Sequence, residues 1–390
     1  MAINGNTLGI ALSGGGFRAI LFGLGGLWRL NDAGLLGKLD RVTSVSGGSI
    51  LAGVLAHRWS ALQFVDGRAS NFADVIATPL QNFCSETADI EAGLLGWITP
   101  FKSAGDYLCS HYEDALFGKT LLTQIPKTKT VGNPTFIFYA TNMQTGRSFR
   151  LRQDYIADYK LGISRNSTVT LATAVTASSA FPPLFSPVIL KTNASDWTNE
   201  GDFGDLAENV DALREKIVLA DGGIYDNMGL ESLIGKVDIA LVSDAGAPFS
   251  IEQKQRSDYF SQLGRVRDIL IDQTRALRKR ELVEDFIAKR ERGAYWGIGT
   301  RIGDFNAPQA LATDGTIPEA LEREPTRLAS IAPTRQAELI NWGYALSDAA
   351  LRVRAELTIA PATGLPFPHT ALGSSIYAET RWKSPWVDSF

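Results

Sequence analysis

Three short stretches of this chain hold residue types suited to acyl-transfer chemistry. The first is Ser44-Val45-Ser46-Gly47-Gly48. The apolar run from Arg41 to Val45 reads as a buried strand and Ser49 to Trp59 as a buried helix. A serine at a sharp strand-to-helix turn presents its hydroxyl as a nucleophile, and the folded-back chain requires small neighbours. Gly47, Gly48 and Ser49 supply them, although Ser44 stands where the Gly-x-Ser-x-Gly pattern has its first glycine. A structural turn of small residues would have the same composition.

The second stretch, Ser13-Gly14-Gly15-Gly16-Phe17-Arg18, also lies between a strand (Leu8 to Leu12) and a helix (Ala19 to Leu30). Consecutive glycines let backbone N–H groups converge beside a helix N-terminus, a geometry that binds anions. An oxyanion hole is one use. A dinucleotide pyrophosphate site is another, since Gly14-x-Gly16-x-x-Ala19 fits that fingerprint loosely. The fingerprint also needs an acid closing the second strand, and Asp40 precedes that strand instead. The third stretch is Lys216 to Gly223, where Asp221 follows an apolar strand and Gly222 and Gly223 follow Asp221. An acid there is placed at the strand's carboxyl end, where open α/β sheets bind ligands, or else caps a turn. Asp244, after the strand Val237 to Val242, competes for the same role.

Strand, glycine turn and helix, twice over in the first sixty residues, are the signature of a parallel α/β sheet. Further strands are predicted at Thr135 to Ala140, Lys216 to Ala220 and Val237 to Val242. Residues 60–131 are irregular and include the apolar Leu94 to Phe101, read as a lid, an interfacial patch or a buried loop. Asn193 to Asn209 reads as a polar surface loop. Helical patterns run over residues 251–292, with Leu263, Val266, Leu270 and Leu277 on one face, and over Thr334 to Glu356. With no convincing linker, residues 247–390 are expected to pack as a mainly helical region on a core of residues 5–246.

The 390 residues carry a net charge of −4, which argues against nucleic acid as a partner. Cys84 and Cys109 stand in no metal-ligand or redox spacing and are expected as reduced thiols. No His/Asp/Glu cluster or calcium-loop pattern occurs, so neither a metal nor any cofactor is expected. No signal peptide or membrane span is predicted, which makes a cytoplasmic protein the default, with transient membrane-surface contact left open. There are only three histidines: His57, His111 and His369. His57 follows Ser46 by eleven residues on one predicted helix, roughly 16 Å away and too far to be its base. Arg278-Lys279-Arg280 reads as a solvated helix face or a contact for lipid headgroups.

In combination, Gly14-Gly15-Gly16-x-Arg18, the elbow at Ser46 and Asp221-Gly222-Gly223 resemble the patatin-like phospholipase family. Residues 140–146, 177–183 and Asp226-Asn227 with Gly229 are similar to its bacterial members, as is Leu339 to Tyr344 less closely. The resemblance covers residues 7 to about 246. It implies a three-layer α/β/α sandwich with a mainly parallel central sheet. It also implies a Ser46–Asp221 dyad without histidine, an oxyanion hole at Gly14, Gly15 and Gly16, and supporting roles for Arg18, Gly47 and Gly222. Arg18 would steady the loop, face a lipid phosphate or form a structural salt bridge. The implied activity is phospholipase A or lysophospholipase action on acyl esters through a covalent acyl-enzyme. The alternatives are a carboxylesterase or acyltransferase on smaller acyl groups, and a silent lipid- or nucleotide-binding module.

Overall fold

The computed structural model describes residues 6–87, 103–127, 132–202, 209–249, 251, 253–254, 256–315 and 317–370. The stretch Leu94 to Phe101 lies outside the described residues.

A ten-stranded sheet with helices on both faces organises the chain. Five of its strands are parallel neighbours: β1 (Leu8–Leu12), β2 (Arg41–Val45), β5 (Thr135–Asn142), β11 (Ile239–Asp244) and β12 (Gly293–Gly297), in the order β12-β11-β1-β2-β5. Between β2 and β5 in sequence, a separate hairpin forms from β3 (Phe64–Val65) and β4 (Arg68–Ala69). Beyond β5 the sheet turns antiparallel through β6 (Arg147–Arg152), β7 (Ile156–Asp158) and β8 (Gly162–Ser164). Two more antiparallel strands, β9 (Val188–Lys191) and β10 (Lys216–Asp221), join through β10 to the end of β5.

The position of β10 brings the predicted site together. Residues Ala140 to Asn142 of β5 pair with β6 on one edge, so β10 must use the other edge, which β2 occupies from Thr135 to Tyr139. Strands β2 and β10 therefore run towards each other along one edge of β5. Val45 is in register with Tyr139 and Asp221 with Ala140. Ser46 and Asp221 each close a strand, and the two strand ends abut. The apolar strand before Asp221 is antiparallel to β5, and its end meets Ser46 head-on.

The central parallel strands β1 and β11 are buried at every position because helices cover both faces. Ile10, Leu12 and Leu241 enter the main core, whereas Ala11, Ala240 and Val242 enter a smaller cluster on the opposite side. The main-core side holds α1 (Gly16–Asp32) and α2 (Gly47–Arg58). The short α3 (Thr78–Phe83) and α4 (Ala104–Tyr112) follow, then α5 (Leu171–Ser179) and α6 (Val210–Glu215). After α7 (Gly223–Asp226) come α8 (Tyr259–Ile287), α9 (Ile317–Glu322) and α10 (Pro333–Val353).

Helix α10 packs closely along α1. A Cβ on Gly25 would collide with the Ile340 carbonyl and one on Gly343 with the Phe22 carbonyl, so glycines let the two backbones touch. Arg29 of α1 and Asp348 of α10 form a buried ion pair at 2.7 Å, which Arg352 joins at 2.8 Å. Helix α8 behaves differently. Its only buried side chain is Leu282, and Leu263, Val266, Leu270 and Leu277 face solvent instead of packing on the core. Cys84 and Cys109 are unbonded to each other.

Candidate active site

Ser46 sits between β2 and α2 with φ 52° and ψ −123°, a strained conformation for a residue with a side chain. The turn is held from beneath. The Ser46 N–H donates to the carbonyl oxygen of Ser178 at 3.2 Å and to its hydroxyl at 3.0 Å. The Ser178 and Ser49 hydroxyls are 2.8 Å apart, Ser49 donates to the Ser44 hydroxyl at 2.9 Å, and Ser44 donates to the Ile137 carbonyl. Ser44, the departure from the glycine pattern, is thus a buried link in a satisfied hydrogen-bond chain. The small residues after Ser46 are sterically required: a Cβ on Gly47 would strike the Gly16 carbonyl, pressing elbow and glycine loop apart.

Asp221 is fully buried at the end of β10. Its N–H donates to the Ala180 carbonyl at 3.0 Å, and its own carbonyl accepts from the Thr141 hydroxyl at 2.8 Å. One carboxyl oxygen accepts the Gly223 N–H at 2.6 Å, and the Ser46 side chain lies close enough to favour the charged carboxylate. Burial pushes the Asp221 pKa up to about 7, and the Gly223 hydrogen bond and the nearby Ser46 side chain offset only part of that rise. Asp244 is equally buried but is committed elsewhere. Burial acts to raise its pKa, yet the Arg275 charge and hydrogen bonds from Arg275, Gly246 and Tyr295 bring it down to about 2. A carboxylate held that firmly is a poor proton acceptor.

The glycine loop lies against the elbow, with a Cβ on Gly14 falling 3.1 Å from that of Ser46. The expectation that all three glycines donate to an oxyanion needs correcting for Gly14, whose N–H donates to the Asn227 carbonyl at 3.0 Å. Gly15 (φ 141°) is the N-cap of α1 and Gly16 (φ 59°) its first residue. N–H groups at this end of a helix have no intrahelical acceptor and lie in the positive field of its dipole.

Arg18 does not face a lipid phosphate. Its side chain has no solvent exposure, and its guanidinium donates to the carbonyls of Glu322 and Glu324 at 2.7 Å and of Ala245 at 2.5 Å. Burial lowers its pKa to about 10. With the Phe17 N–H on the Arg327 carbonyl at 3.0 Å, it ties the glycine loop to the C-terminal region.

His57 contacts the Thr120 hydroxyl at 3.3 Å and the Phe117 ring, and His111 lies beside Phe83. Arg278 pairs with Asp226 at 3.5 Å and lies over Tyr225, and Lys279 approaches the Tyr295 ring, so this run anchors α8. Tyr112, buried with its hydroxyl 3.1 Å from that of Ser179, had no sequence signal because it falls in the irregular stretch. Ser178 and Asn227 lie in recognisable stretches, but only folding reveals what they hold. Among the described residues, no group of three His, Cys, Asp or Glu could hold a metal ion.

The fold thus sets a serine on a strained elbow beside a buried carboxyl at one end of an α/β sheet. The chain belongs to the patatin-like phospholipase family, whose profile matches residues 10–234. Human GIVD cytosolic phospholipase A2, solved with methyl gamma-linolenyl fluorophosphonate, is similar in fold (TM-score 0.50, 13% identity). The match covers 90% of this chain and 59% of that one, so the chain spans less than two thirds of that protein. VipD from Legionella pneumophila is more distant, with TM-score 0.38 and 16% identity over 90% of this chain and 67% of that one. No curated protein sequence matches the chain.

Proposed function

We propose that the chain hydrolyses fatty-acyl esters of phospholipids or lysophospholipids through a Ser46–Asp221 dyad. The observation that carries this reading is Ser46, on a strained elbow, beside a buried carboxyl at the abutting strand end, whose pKa burial raises to about 7. A carboxylate near its ordinary pKa is a weak base; one raised to neutrality matches the working pH of a general base.

In the acylation step, Ser46 Oγ bonds to the acyl carbonyl carbon while its proton passes to the Asp221 carboxylate. The carbonyl oxygen takes up negative charge and receives the Gly15 and Gly16 N–H groups. As the ester C–O bond breaks, the departing alcohol oxygen takes the proton from Asp221. Water then attacks the acyl-enzyme, giving its proton to Asp221, and collapse returns that proton to Ser46 Oγ and frees the fatty acid. Gly47 and Gly222 support the reaction by letting the elbow and the acid approach neighbouring backbone.

A fluorophosphonate tests this directly. Peptide mapping should find the adduct on Ser46, with Ser13, Ser44 and Ser49 untouched. A lipid panel followed by mass spectrometry should show fatty acid released from (lyso)phospholipid. Labelling of another serine, or none in folded protein, rejects the dyad; turnover confined to short-chain esters rejects the phospholipid substrate.

A further inference from the structure

Fifteen large apolar side chains are exposed among the described residues, and ten of them fall between Phe249 and Ile287. Along α8, Tyr259, Leu263, Val266, Leu270 and Leu277 recur at helical spacing on one face, each more than half exposed. The opposite side carries the buried Leu282 and the anchoring Arg275 and Arg278, paired with Asp244 and Asp226. An ordinary surface helix turns its apolar stripe inward; α8 is fastened by its polar side and turns the stripe outward. The helix lies outside the residues matched by the family profile.

The chemistry of the face selects its occupant. A helix-to-helix seam would need apolar residues to continue the heptad, but Gln273 and Arg280 take those positions. Phe260 (82% exposed) and Ile269 lie on either flank and broaden the stripe beyond a seam. Between Lys254 and Arg280 there are eight basic and three acidic residues, in a chain whose net charge is −4. With Arg275, Arg278 and Lys279, which fasten the helix to the core, set aside, five basic residues stand against three acidic ones, of which Asp268 pairs with Arg267. A broad apolar face with basic flanks suits an anionic bilayer surface, where apolar side chains enter the headgroup boundary and cations meet phosphates.

Helix α8 also touches the segment that leads to the active site. Arg267 of α8 donates to the Pro182 carbonyl at 3.1 Å, and its guanidinium lies 5.1 Å from the centre of the Phe181 ring. Pro182 is two residues from Ala180, whose carbonyl accepts the Asp221 N–H. Leu184, in the same segment, is exposed. We propose that the outward apolar face of α8 seats the protein on an anionic lipid surface beside the Ser46–Asp221 site, an inference that rests on the lipid-hydrolase reading above.

The test is cosedimentation of the full chain, carrying Ser46→Ala to prevent turnover, with vesicles of phosphatidylcholine alone or with one third phosphatidylglycerol. Binding should be at least about tenfold tighter to the anionic vesicles and should weaken as salt is raised. Adding Leu263→Gln, Val266→Gln and Leu270→Gln should cost at least about tenfold in anionic-vesicle binding. These side chains are exposed, and in protein that retains Ser46 the triple variant should react with a soluble fluorophosphonate within about twofold of the parent rate. Equal vesicle binding by parent and triple variant overturns the proposal, as does no vesicle binding by the parent. A parent dimer that the triple change converts to monomer, with vesicle binding untouched, assigns the face to a second copy and also overturns it. If fluorophosphonate fails to label while vesicle binding behaves as expected, the surface stands and the serine-hydrolase reading falls.

Discussion

The N–H groups of Ser46 and Gly222 both donate to the carbonyl oxygen of Ser178, at 3.2 and 3.1 Å. One oxygen at the end of α5 therefore sets the spacing between the elbow and the strand end that carries Asp221. The Ser178 hydroxyl adds a third tie, accepting from Ser46 and contacting Ser49. Ser178→Ala keeps the shared carbonyl and removes that tie. Turnover should fall about tenfold, equivalent to about 1.4 kcal/mol in barrier, with KM little changed. Steady-state kinetics on a chromogenic ester decide it; unchanged turnover would show that the carbonyl alone holds the elbow.

The raised Asp221 pKa makes two linked predictions. Its ionised form is the base, so kcat/KM should climb with pH through about 7 and level off above it. Stability should run the other way. The folded state holds this proton more tightly than the unfolded chain, whose value is near 3.8, so stability falls as pH rises from about 4 to about 7. Asp221→Asn removes the buried charge while keeping the side chain's size. It should be nearly inactive, yet more stable than wild type at pH 8 by at most about 4 kcal/mol. Denaturant unfolding at pH 5 and pH 8 measures the difference; a variant less stable at pH 8 contradicts the assignment.

Asp244→Asn should have the opposite effect on stability. It leaves Arg275 without its buried partner, and breaking such a pair costs about 3–5 kcal/mol. The folded Asp244 pKa of about 2 lies below the ordinary 3.8, so the pair's stabilisation is present above about pH 4 and lost as pH falls through about 2. Thermal unfolding at pH 7 should show a large drop for Asp244→Asn; a negligible one would mean that the pair is not formed.

Arg18 is a structural tie, so Arg18→Ala should loosen the protein without altering headgroup preference. Three carbonyls lose a charged donor, and Arg18→Lys should not restore stability because an ammonium cannot reproduce the guanidinium fork. Unfolding midpoints for both variants, beside relative rates on phosphatidylcholine and phosphatidylglycerol, provide the check. A selective loss on one headgroup would reassign Arg18 to substrate.

In a dyad, no histidine should matter greatly. His57→Ala, His111→Ala and His369→Ala should each keep turnover within about tenfold, whereas a true triad base would cost several orders of magnitude. Single-turnover acylation by a chromogenic ester, with circular dichroism to confirm folding, reads this out. Collapse of any one histidine variant in folded protein would point to a conventional triad.

Much of the site was legible in the sequence because its parts are local. A serine between a strand and a helix, and glycines before a helix, are each shaped by their immediate neighbours, and β2, α1, α2 and Asp221 at the end of β10 lie where composition and periodicity put them. What no local pattern contains is pairing. That β10 runs antiparallel along the edge of β5 that β2 also uses, so that two strand ends meet, depends on pairings between residues 77 to 94 positions apart in the chain. The same holds for the pKa values. Asp221 and Asp244 both close apolar strands, but only the fold leaves one buried beside a serine hydroxyl and sets the other against Arg275. The stripe on α8 was visible as a stripe, but periodicity shows only that one face is apolar. Which way it turns was decided by Arg275, Arg278 and Leu282 fastening the other side to the core.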